Sequence, residues 1–323
     1  MIKKDLQKPF KVKKLEALLR RLPSNHPKTA VVERSLTRGL AGYRGEQSLE
    51  YYLNFLPDKV YYIFHGLRIP FLSNYFQMDV LIVTCSFFLI IEVKNISGTL
   101  IFDPENNQLI RQYDGKEEIF PDPVQQVKYQ KFQLSQWIKC HNIPQVPIET
   151  LVVITNSASK TQSISPDIKI PYIVIRSTIL LERIEKLKTL YRNEKLTNKE
   201  VNKLSKQLNK QHTENDSDIL SQFQVSKREL LKGVYCPVCV MKILRRKNGK
   251  WFCPECFFSS KDAHKTPLDD FALLISPTIT NQQLRDFLYI KSDSTAKKIF
   301  HSMNLRHTGF NKGRIYYLRE KKG

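Results

Sequence analysis

The chain has 323 residues, 41% of them hydrophobic and 11% aromatic, and this composition excludes a disordered or collagen-like protein. Its 52 Lys and Arg residues against 31 Asp and Glu residues give a net charge of +21, which indicates a polyanionic partner such as nucleic acid. The longest apolar stretch, residues 80–91, is too short to cross a bilayer, so we expect no membrane span and no secretion signal. Solubility alone is the alternative explanation of the charge.

The first forty residues carry eleven basic side chains against three acidic ones. Within them a short amphipathic pattern of leucines ends at Pro23, and the segment is expected to be a basic extension. From Gly42 a helical period begins and runs to Pro57. A strand is predicted at residues 60–64.

Two further apolar strands are predicted at residues 75–84 and 87–94, joined by a tight turn. A turn centred between residues 85 and 86 pairs the strands symmetrically, which sets Asp79 opposite Glu92. Lys94 lies two residues beyond Glu92 and therefore on the same face of its strand. Two carboxylates and a lysine are thus expected to meet among apolar neighbours.

This group of charges predicts a metal site. Two neighbouring carboxylates in an apolar setting repel each other and lose solvation unless a cation joins them. Their hard oxygen atoms suit Mg²⁺ or Mn²⁺, and Lys94 would orient a water molecule or stabilise developing charge. The alternative is a buried ion pair of Lys94 with Asp79 or Glu92 that has no chemical role.

Further strands are predicted at residues 98–102 and 109–113, followed by a tight turn at Asp114 and Gly115. A helix is expected to start after Asp122, which would cap it, and to run to about Cys140. Two more buried strands follow, at residues 151–154 and 172–175. Strands interleaved with helices predict an α/β fold with a mixed central sheet covered by helices on both faces.

A charged helical segment is predicted at residues 178–210, with a polar linker after it. Two CxxC pairs follow with thirteen residues between them, which is the spacing of a closed, structural zinc site, and they resemble a zinc ribbon of topoisomerase-like type. The ligands would be Cys236, Cys239, Cys253 and Cys256. A disulfide is disfavoured because six cysteines without a secretion signal indicate a reducing compartment, and we expect a cytoplasmic protein.

The last segment resembles a winged helix. A helix after Thr280, a second helix that starts near Ser292 and a basic hairpin would place the second helix in a DNA groove. A small helical cap or a protein-docking domain is the alternative. The residues predicted to contact phosphates, in the zinc ribbon and in this tail, are Arg245, Arg246, Lys247, Lys250, Lys297, Lys298, Lys312 and Arg314.

Several short motifs between residues 40 and 155 occur in the order found in the nuclease-related domain (NERD) of the PD-(D/E)xK nuclease superfamily. They are Gly42-Tyr43-Arg44-Gly45-Glu46, Gln77-Met78-Asp79, Ile91-Glu92-Val93-Lys94-Asn95 with Gly98, and Asp122-Pro123-Val124-Gln125-Gln126. The resemblance implies a restriction-endonuclease-like fold and cleavage of nucleic acid. By the same resemblance Asp79, Glu92 and the Val93 carbonyl would hold the metal, Lys94 would be the catalytic lysine, and Glu46 and Gln126 would complete the site.

The sequence therefore predicts a metal-dependent nuclease that acts on nucleic acid, with DNA favoured over RNA. The rivals are a DNA-binding or regulatory protein whose nuclease fold is inactive, and an adaptor whose basic surface serves solubility. The expected organisation is a basic extension (1–40), a nuclease-like domain (41–177), a helical segment and linker (178–230), a zinc ribbon (231–262) and a winged-helix-like domain (276–323).

Overall fold

The structure is a computed structural model that describes residues 1–240 and 242–319. The chain divides into two compact units. Unit 1 comprises Met1–Pro9 and Arg38–Asn215, and unit 2 comprises Phe10–Thr37 and the chain from residue 216 onward. The chain thus passes from unit 1 to unit 2, back to unit 1, and again to unit 2.

Helices and strands alternate through most of the chain. The helices are α1 (Phe10–Arg21), α2 (Thr29–Leu53), α3 (Pro123–Cys140), α4 (Leu180–Leu190), α5 (Asn198–Gln211), α6 (Ile219–Phe223), α7 (Lys265–Leu274), α8 (Asn281–Leu288) and α9 (Asp293–Ser302), with short 3-10 turns at Ser177–Ile179, Lys227–Glu229 and Asn311–Gly313. The strands of unit 1 are β1 (Ile2–Lys4), β2 (Tyr62–Phe71), β3 (Asn74–Val83), β4 (Phe88–Lys94), β5 (Thr99–Asp103), β6 (Gln108–Tyr113), β7 (Lys116–Pro121), β8 (Ile148–Ile154), β9 (Lys160–Ser163) and β10 (Val174–Arg176).

The central sheet of unit 1 has the strand order β1-β2-β3-β4-β8-β10. It is mixed: β2, β3 and β4 are antiparallel neighbours, whereas β1, β8 and β10 run parallel to theirs. Successive apolar side chains of the inner strands pack on opposite faces of the sheet, and helices cover both faces. Leu134 and Trp137 of α3 and Leu204 of α5 pack on one face, and Leu49 of α2 and Ile184 of α4 pack on the other. This is the mixed α/β core that the sequence predicts.

A second sheet of unit 1 has the order β7-β6-β5-β9. Asp114 and Gly115 connect β6 to β7 with φ angles of 52° and 69°, the left-handed pair that a two-residue hairpin turn requires. The turn predicted there is confirmed. Helix α3 also begins where the sequence predicts, because Asp122 accepts a hydrogen bond from the backbone N–H of Val124 at 2.8 Å.

Unit 2 contains two small antiparallel sheets. Their strands are β11 (Arg245–Lys247), β12 (Lys250–Phe252), β13 (Ser259–Ser260), β14 (Thr278–Thr280), β15 (His307–Thr308) and β16 (Ile315–Tyr317). The first sheet has the order β11-β12-β13 and the second β14-β16-β15. The second is preceded by α7 and interleaved with α8 and α9, and Phe287 and Phe300 from these two helices enter the apolar core of the unit.

Helix α1 belongs to unit 2 through a buried ionic contact as well as through apolar packing. Asp270 of α7 is fully buried, and its carboxylate accepts hydrogen bonds from Arg21 at 2.7 Å and from Arg20 at 2.6 Å. Arg21 is itself buried and also donates to the carbonyl oxygen of Gly233 at 2.9 Å. A buried carboxylate needs such partners, because without them its desolvation is uncompensated.

Some boundaries differ from the sequence predictions. The first forty residues hold a strand, β1, that joins the central sheet, which a basic composition does not indicate. Helix α2 begins at Thr29 instead of Gly42, and β2 extends to Phe71 instead of ending at residue 64. The long helical pattern after residue 178 is two helices, α4 and α5. Within the described residues, no helix is both long and apolar enough to cross a membrane.

Candidate active site

The β3–β4 hairpin has the predicted register. Val80 pairs with Ile91 and Leu81 with Ile90, so the next step along the ladder brings Asp79 to Glu92. Paired backbone contacts end before this step, and the Asp79 carboxylate instead accepts the backbone N–H of Val93 at 2.9 Å. Asp79 is therefore held against β4 by its own side chain.

Glu92 and Lys94 lie on one face of β4, as their spacing predicts. Glu92 is only 3% exposed, and the Lys94 ammonium group donates to its Oε1 at 2.7 Å. Lys94 also donates to Oε1 of Gln126 at 3.1 Å. Two contacts of this kind fix the ammonium group beside the carboxylate.

Helix α3 supplies a second glutamine that the sequence analysis missed. Gln130 is buried one helical turn after Gln126, and its amide nitrogen donates to Oε2 of Glu92 at 2.9 Å. The signal was available, since residues four apart on a helix share a face. The buried apolar residues of α3 are enough by themselves to define its inner face, so the sequence pattern gives no weight to the polar Gln130 among them.

Helix α2 supplies Glu46 from the other face of the sheet. The helix lies close to the end of β4: a Cβ atom at Gly45 would come within 2.6 Å of the Asn95 Cβ, and the Asn95 amide donates to the Ala41 carbonyl at 2.8 Å. Gly45 thus permits the approach that sets the position of Glu46.

The three acids influence one another's ionisation. Burial, together with the charges of Asp79 and Glu92, raises the pKa of Glu46 to about 8, and the charge of Lys4 opposes this change. Burial and the charge of Glu92 raise the pKa of Asp79 to about 7, whereas the Val93 N–H and the charge of Lys94 oppose the change. The electrostatic surroundings therefore disfavour negative charge on both acids and would favour a cation there.

The donor set fits a hard divalent cation in its chemistry. Carboxylate oxygens are the ligands that Mg²⁺ and Mn²⁺ prefer, and three acids outnumber the single neighbouring lysine of β4. The three acids do not, however, converge as closely as the ligands of a closed site. In the part of the chain that is described, one group of three or more His, Cys, Asp or Glu side chains has all its ligand atoms within 4.8 Å of one another, and this group is the four cysteines.

The four predicted zinc ligands come together in unit 2. The Sγ atoms of Cys236 and Cys256 are 3.5 Å apart, and those of Cys253 and Cys239 are 3.9 Å apart. Four thiolates bound tetrahedrally at about 2.3 Å from zinc lie about 3.8 Å from one another, so these distances fit a zinc site. The backbone N–H of Cys256 is the main cause that lowers the pKa of Cys253 to about 7, which favours the thiolate form that binds metal.

The residues predicted to contact phosphates differ in their surroundings. Arg246 lies with its guanidinium group over the Trp251 ring at 5.1 Å, and burial lowers its pKa. Lys297 forms an ion pair with Asp293 at 2.8 Å. The others with described side chains are exposed or half-exposed: Arg245, Lys247, Lys250, Lys298 and Arg314. The side chain of Lys312 lies outside the described part of the chain.

One residue of the C-terminal hairpin was not singled out from the sequence. Phe310 lies between β15 and β16 and is 85% exposed, with no described core around it. Large exposed aromatic side chains at the tip of a basic hairpin are suited to stacking on bases. The sequence signal was the single aromatic residue next to Gly309 and Asn311 in an otherwise polar turn.

The comparisons with known proteins concern the segment that contains the three acids and Lys94. Residues 41–155 match the nuclease-related domain, NERD. No curated protein and no solved structure matches the chain. The NERD match covers the smaller part of the 323 residues and includes all five predicted catalytic residues: Glu46, Asp79, Glu92, Lys94 and Gln126. Gln130 also lies within the NERD segment, whereas Lys4 and the cysteine cluster lie outside it.

Proposed function

We propose that the protein is a metal-dependent nuclease that hydrolyses phosphodiester bonds, with DNA as the substrate. One observation supports this above all: Asp79, Glu92 and Lys94 meet where the pairing of β3 with β4 ends, inside the segment that matches NERD. Acids from two strands and a lysine on the same strand as one of them are the groups that metal-assisted hydrolysis of a phosphodiester requires.

Each residue has a role in this proposal. Asp79 and Glu92 would hold Mg²⁺ or Mn²⁺, and the bound cation would lower the pKa of a water molecule and offset charge on the phosphate. Lys94 would orient the attacking water and stabilise the developing negative charge. Gln126 positions the ammonium group of Lys94, and Gln130 positions the carboxylate of Glu92. Glu46 would add a further negative charge at the edge of the site.

Unit 2 would hold the nucleic acid. The order α7, β14, α8, α9, β15, β16, with β16 between the other two strands, is that of a winged helix. In such domains the helix equivalent to α9 enters the major groove, and α9 carries the exposed lysines Lys297 and Lys298. The ribbon that the four cysteines would close around zinc adds Lys247 and Lys250, which are exposed on its hairpin. The net charge of +21 favours binding to phosphates.

The rival proposal is a DNA-binding protein that uses an inactive nuclease fold as a scaffold. The surplus negative charge next to Lys94 favours the enzyme, because a purely structural core gains nothing from three acids gathered at a strand end. An adaptor with a basic surface is the second rival. Its binding to partners would lack the steep salt dependence of phosphate contacts.

The test compares cleavage with binding. Purified protein is incubated with supercoiled plasmid, linear duplex DNA and RNA, with and without Mn²⁺ or Mg²⁺. We expect DNA cleavage that needs the metal and falls at least about a hundredfold in Asp79→Asn and Lys94→Met, while DNA binding stays the same. Asp114→Asn, which alters an exposed acid in a hairpin turn, should behave like the wild type. Cleavage that persists in Asp79→Asn would refute the assignment, and binding without cleavage would favour the scaffold.

A further inference from the structure

Lys4 lies in the N-terminal strand β1, outside the NERD segment. Strand β1 runs parallel to β2, with Lys4 paired to Phe64. The ammonium group of Lys4 donates to the carbonyl oxygen of His65 at 2.6 Å. A Cβ atom built on the next residue, Gly66, would lie 3.9 Å from the Lys4 Nζ, so the ammonium group lies at this step of β2.

This step of β2 is the one that faces Asp79. His65 pairs with Val80 and Leu67 pairs with Met78, which sets Gly66 opposite Asp79. Both strands change face here. Val80 packs into the core on the α2 side of the sheet, and residues two apart on a regular strand share a face. Met78 and its partner Leu67 would therefore be expected on the α2 side, but both pack into the core on the α3 side. Gly66 has a φ of 55°, a left-handed conformation that glycine adopts at little steric cost, and it lies at the step where β2 changes face.

Lys4 lies beside Gly66, opposite Asp79, and its charge reaches Glu46. It lowers the pKa of Glu46, against burial and the charges of Asp79 and Glu92. A bound cation would favour the ionised form of all three acids. With Lys94 as the single lysine these acids would leave a charge of −2, and with Lys4 the charge would be −1. A divalent cation then brings the site to +1, which balances the single negative charge of a phosphodiester.

We propose that Lys4 is a second lysine of the candidate nuclease site, whose charge offsets the acids so that a divalent cation and a phosphodiester can be held together. This rests on the proposed function of the same site. Lys4 is a positioning residue: it acts on the acids and on the balance of charge. The site would then be incomplete in the NERD segment alone, since one of its cations comes from β1.

The experiment uses the full chain and compares three variants. Lys4→Gln removes the charge but keeps a donor for the His65 carbonyl, and Lys4→Arg keeps the charge. Lys3→Gln is the matched control, because Lys3 is the neighbouring residue on β1 and its ammonium group lies over the Tyr62 ring at 4.6 Å. Mn²⁺ affinity is measured by electron paramagnetic resonance, and kcat and KM are measured with duplex DNA.

We expect Lys4→Gln to bind Mn²⁺ about three- to tenfold more tightly, because a positive charge near the metal has been removed. Its kcat should fall about tenfold. Lys4→Arg should restore both values, and Lys3→Gln should match the wild type. A purely structural role of Lys4 would not tighten metal binding. Melting temperatures check the fold, and Lys4→Met provides a second neutral variant.

The outcomes separate this proposal from the one on which it rests. If the wild type binds Mn²⁺ and cleaves DNA while Lys4→Gln does the same with unchanged constants, the role of Lys4 is refuted and the nuclease proposal stands. Weaker Mn²⁺ binding, or loss of the fold in both neutral variants, would likewise refute it and leave Lys4 a structural residue. If the wild type neither binds Mn²⁺ nor cleaves, both proposals fail.

Discussion

Gln130 donates a buried hydrogen bond to Glu92, with 2.9 Å between the amide nitrogen and Oε2. The opposite carboxylate oxygen of Glu92 accepts the ammonium group of Lys94 at 2.7 Å. Both oxygens of one acid are thus fixed from two directions, by a helix and by its own strand. Such partners hold a ligand in the orientation that a metal requires.

Gln130→Leu should therefore reduce activity while it preserves the fold. We expect a loss of about ten- to a hundredfold in cleavage or in Mn²⁺ affinity, which is typical when the partner of a metal ligand is removed. Cleavage rates and Mn²⁺ titrations measure the effect. Gln125→Leu is the control, since Gln125 is exposed on the same helix. Equal activity of the two variants would mean that Gln130 has only a structural part.

Two glycines of α2 should respond in opposite ways to alanine. Gly45→Ala would bring a Cβ atom within 2.6 Å of Asn95, so α2 must shift, and we expect a loss of about 1–3 kcal/mol of stability together with lower activity. Gly42→Ala meets no atom within 4 Å and should stabilise the helix by up to about 1 kcal/mol. Urea unfolding and cleavage assays measure both. A neutral Gly45→Ala would contradict the close approach of α2 to β4.

Zinc content should depend on the four cysteines of unit 2. We expect about one zinc ion per chain, released by denaturation into a chromogenic chelator, and little or none in Cys253→Ser. The unit should also lose thermal stability, because the free energy of zinc binding contributes to folding. Cys140→Ser alters an exposed cysteine of α3 and should keep its zinc. A full complement of zinc in Cys253→Ser would contradict the assigned site.

Phe310→Ala should weaken binding to DNA. Loss of a base-stacking side chain costs about 1–3 kcal/mol, so the dissociation constant should rise about fivefold or more. Fluorescence anisotropy with a short single-stranded DNA, whose bases are free to stack on a side chain, measures this change. Leu190→Ala removes another exposed apolar side chain, at the end of α4, and should have no effect. Unchanged affinity of Phe310→Ala would remove the C-terminal hairpin from the proposed interface.

His65 should make the protein less stable in mild acid. Its ring is buried, and neither ring nitrogen has a hydrogen-bond partner in the described structure. Burial, reinforced by the charge of Lys4 and opposed by Asp5, lowers its pKa to about 4. The unfolded chain takes up this proton near the ordinary value of 6.5, so the unfolded state binds more protons between these values and stability falls as pH falls.

A His65→Leu variant isolates this effect. From pH 7.5 to pH 5 the wild type should lose about 2 kcal/mol more than the variant in free energy of unfolding. Urea titrations at the two pH values measure the difference. The same loss in both proteins would show that His65 is not the cause, and other titrating groups would then account for it.

The sequence was sufficient for the parts of the fold that local rules determine. The period of two and a tight turn predict the β3–β4 register, and with it the meeting of Asp79 and Glu92. The Asp122 cap followed by proline predicts the start of α3. Each of these depends on residues close together in the chain, so no tertiary information is needed.

The parts that were missed depend on distant contacts. Lys4 lies near the site because β1 pairs with β2, which is some sixty residues later in the chain. The sequence does not predict β1, because this short basic strand has no pattern of apolar residues. Gln130 was missed because polarity on the inner face of α3 becomes meaningful only once Glu92 is known to lie beside it. The change of face at Gly66 depends on its φ angle, which the residue type permits but does not require.

The interleaved path of the chain bears on how its parts can be prepared. A fragment cut at the ends of the family match would lack β1, and with it Lys4. A fragment that begins at the first zinc ligand would lack α1, and Asp270 would keep its buried charge after losing Arg20 and Arg21. An orphaned buried carboxylate of this kind costs about 3–5 kcal/mol. Recombinant fragments chosen by sequence order alone should therefore be poorly folded. Co-expression of the separate segments that make up one unit should restore the folding of that unit.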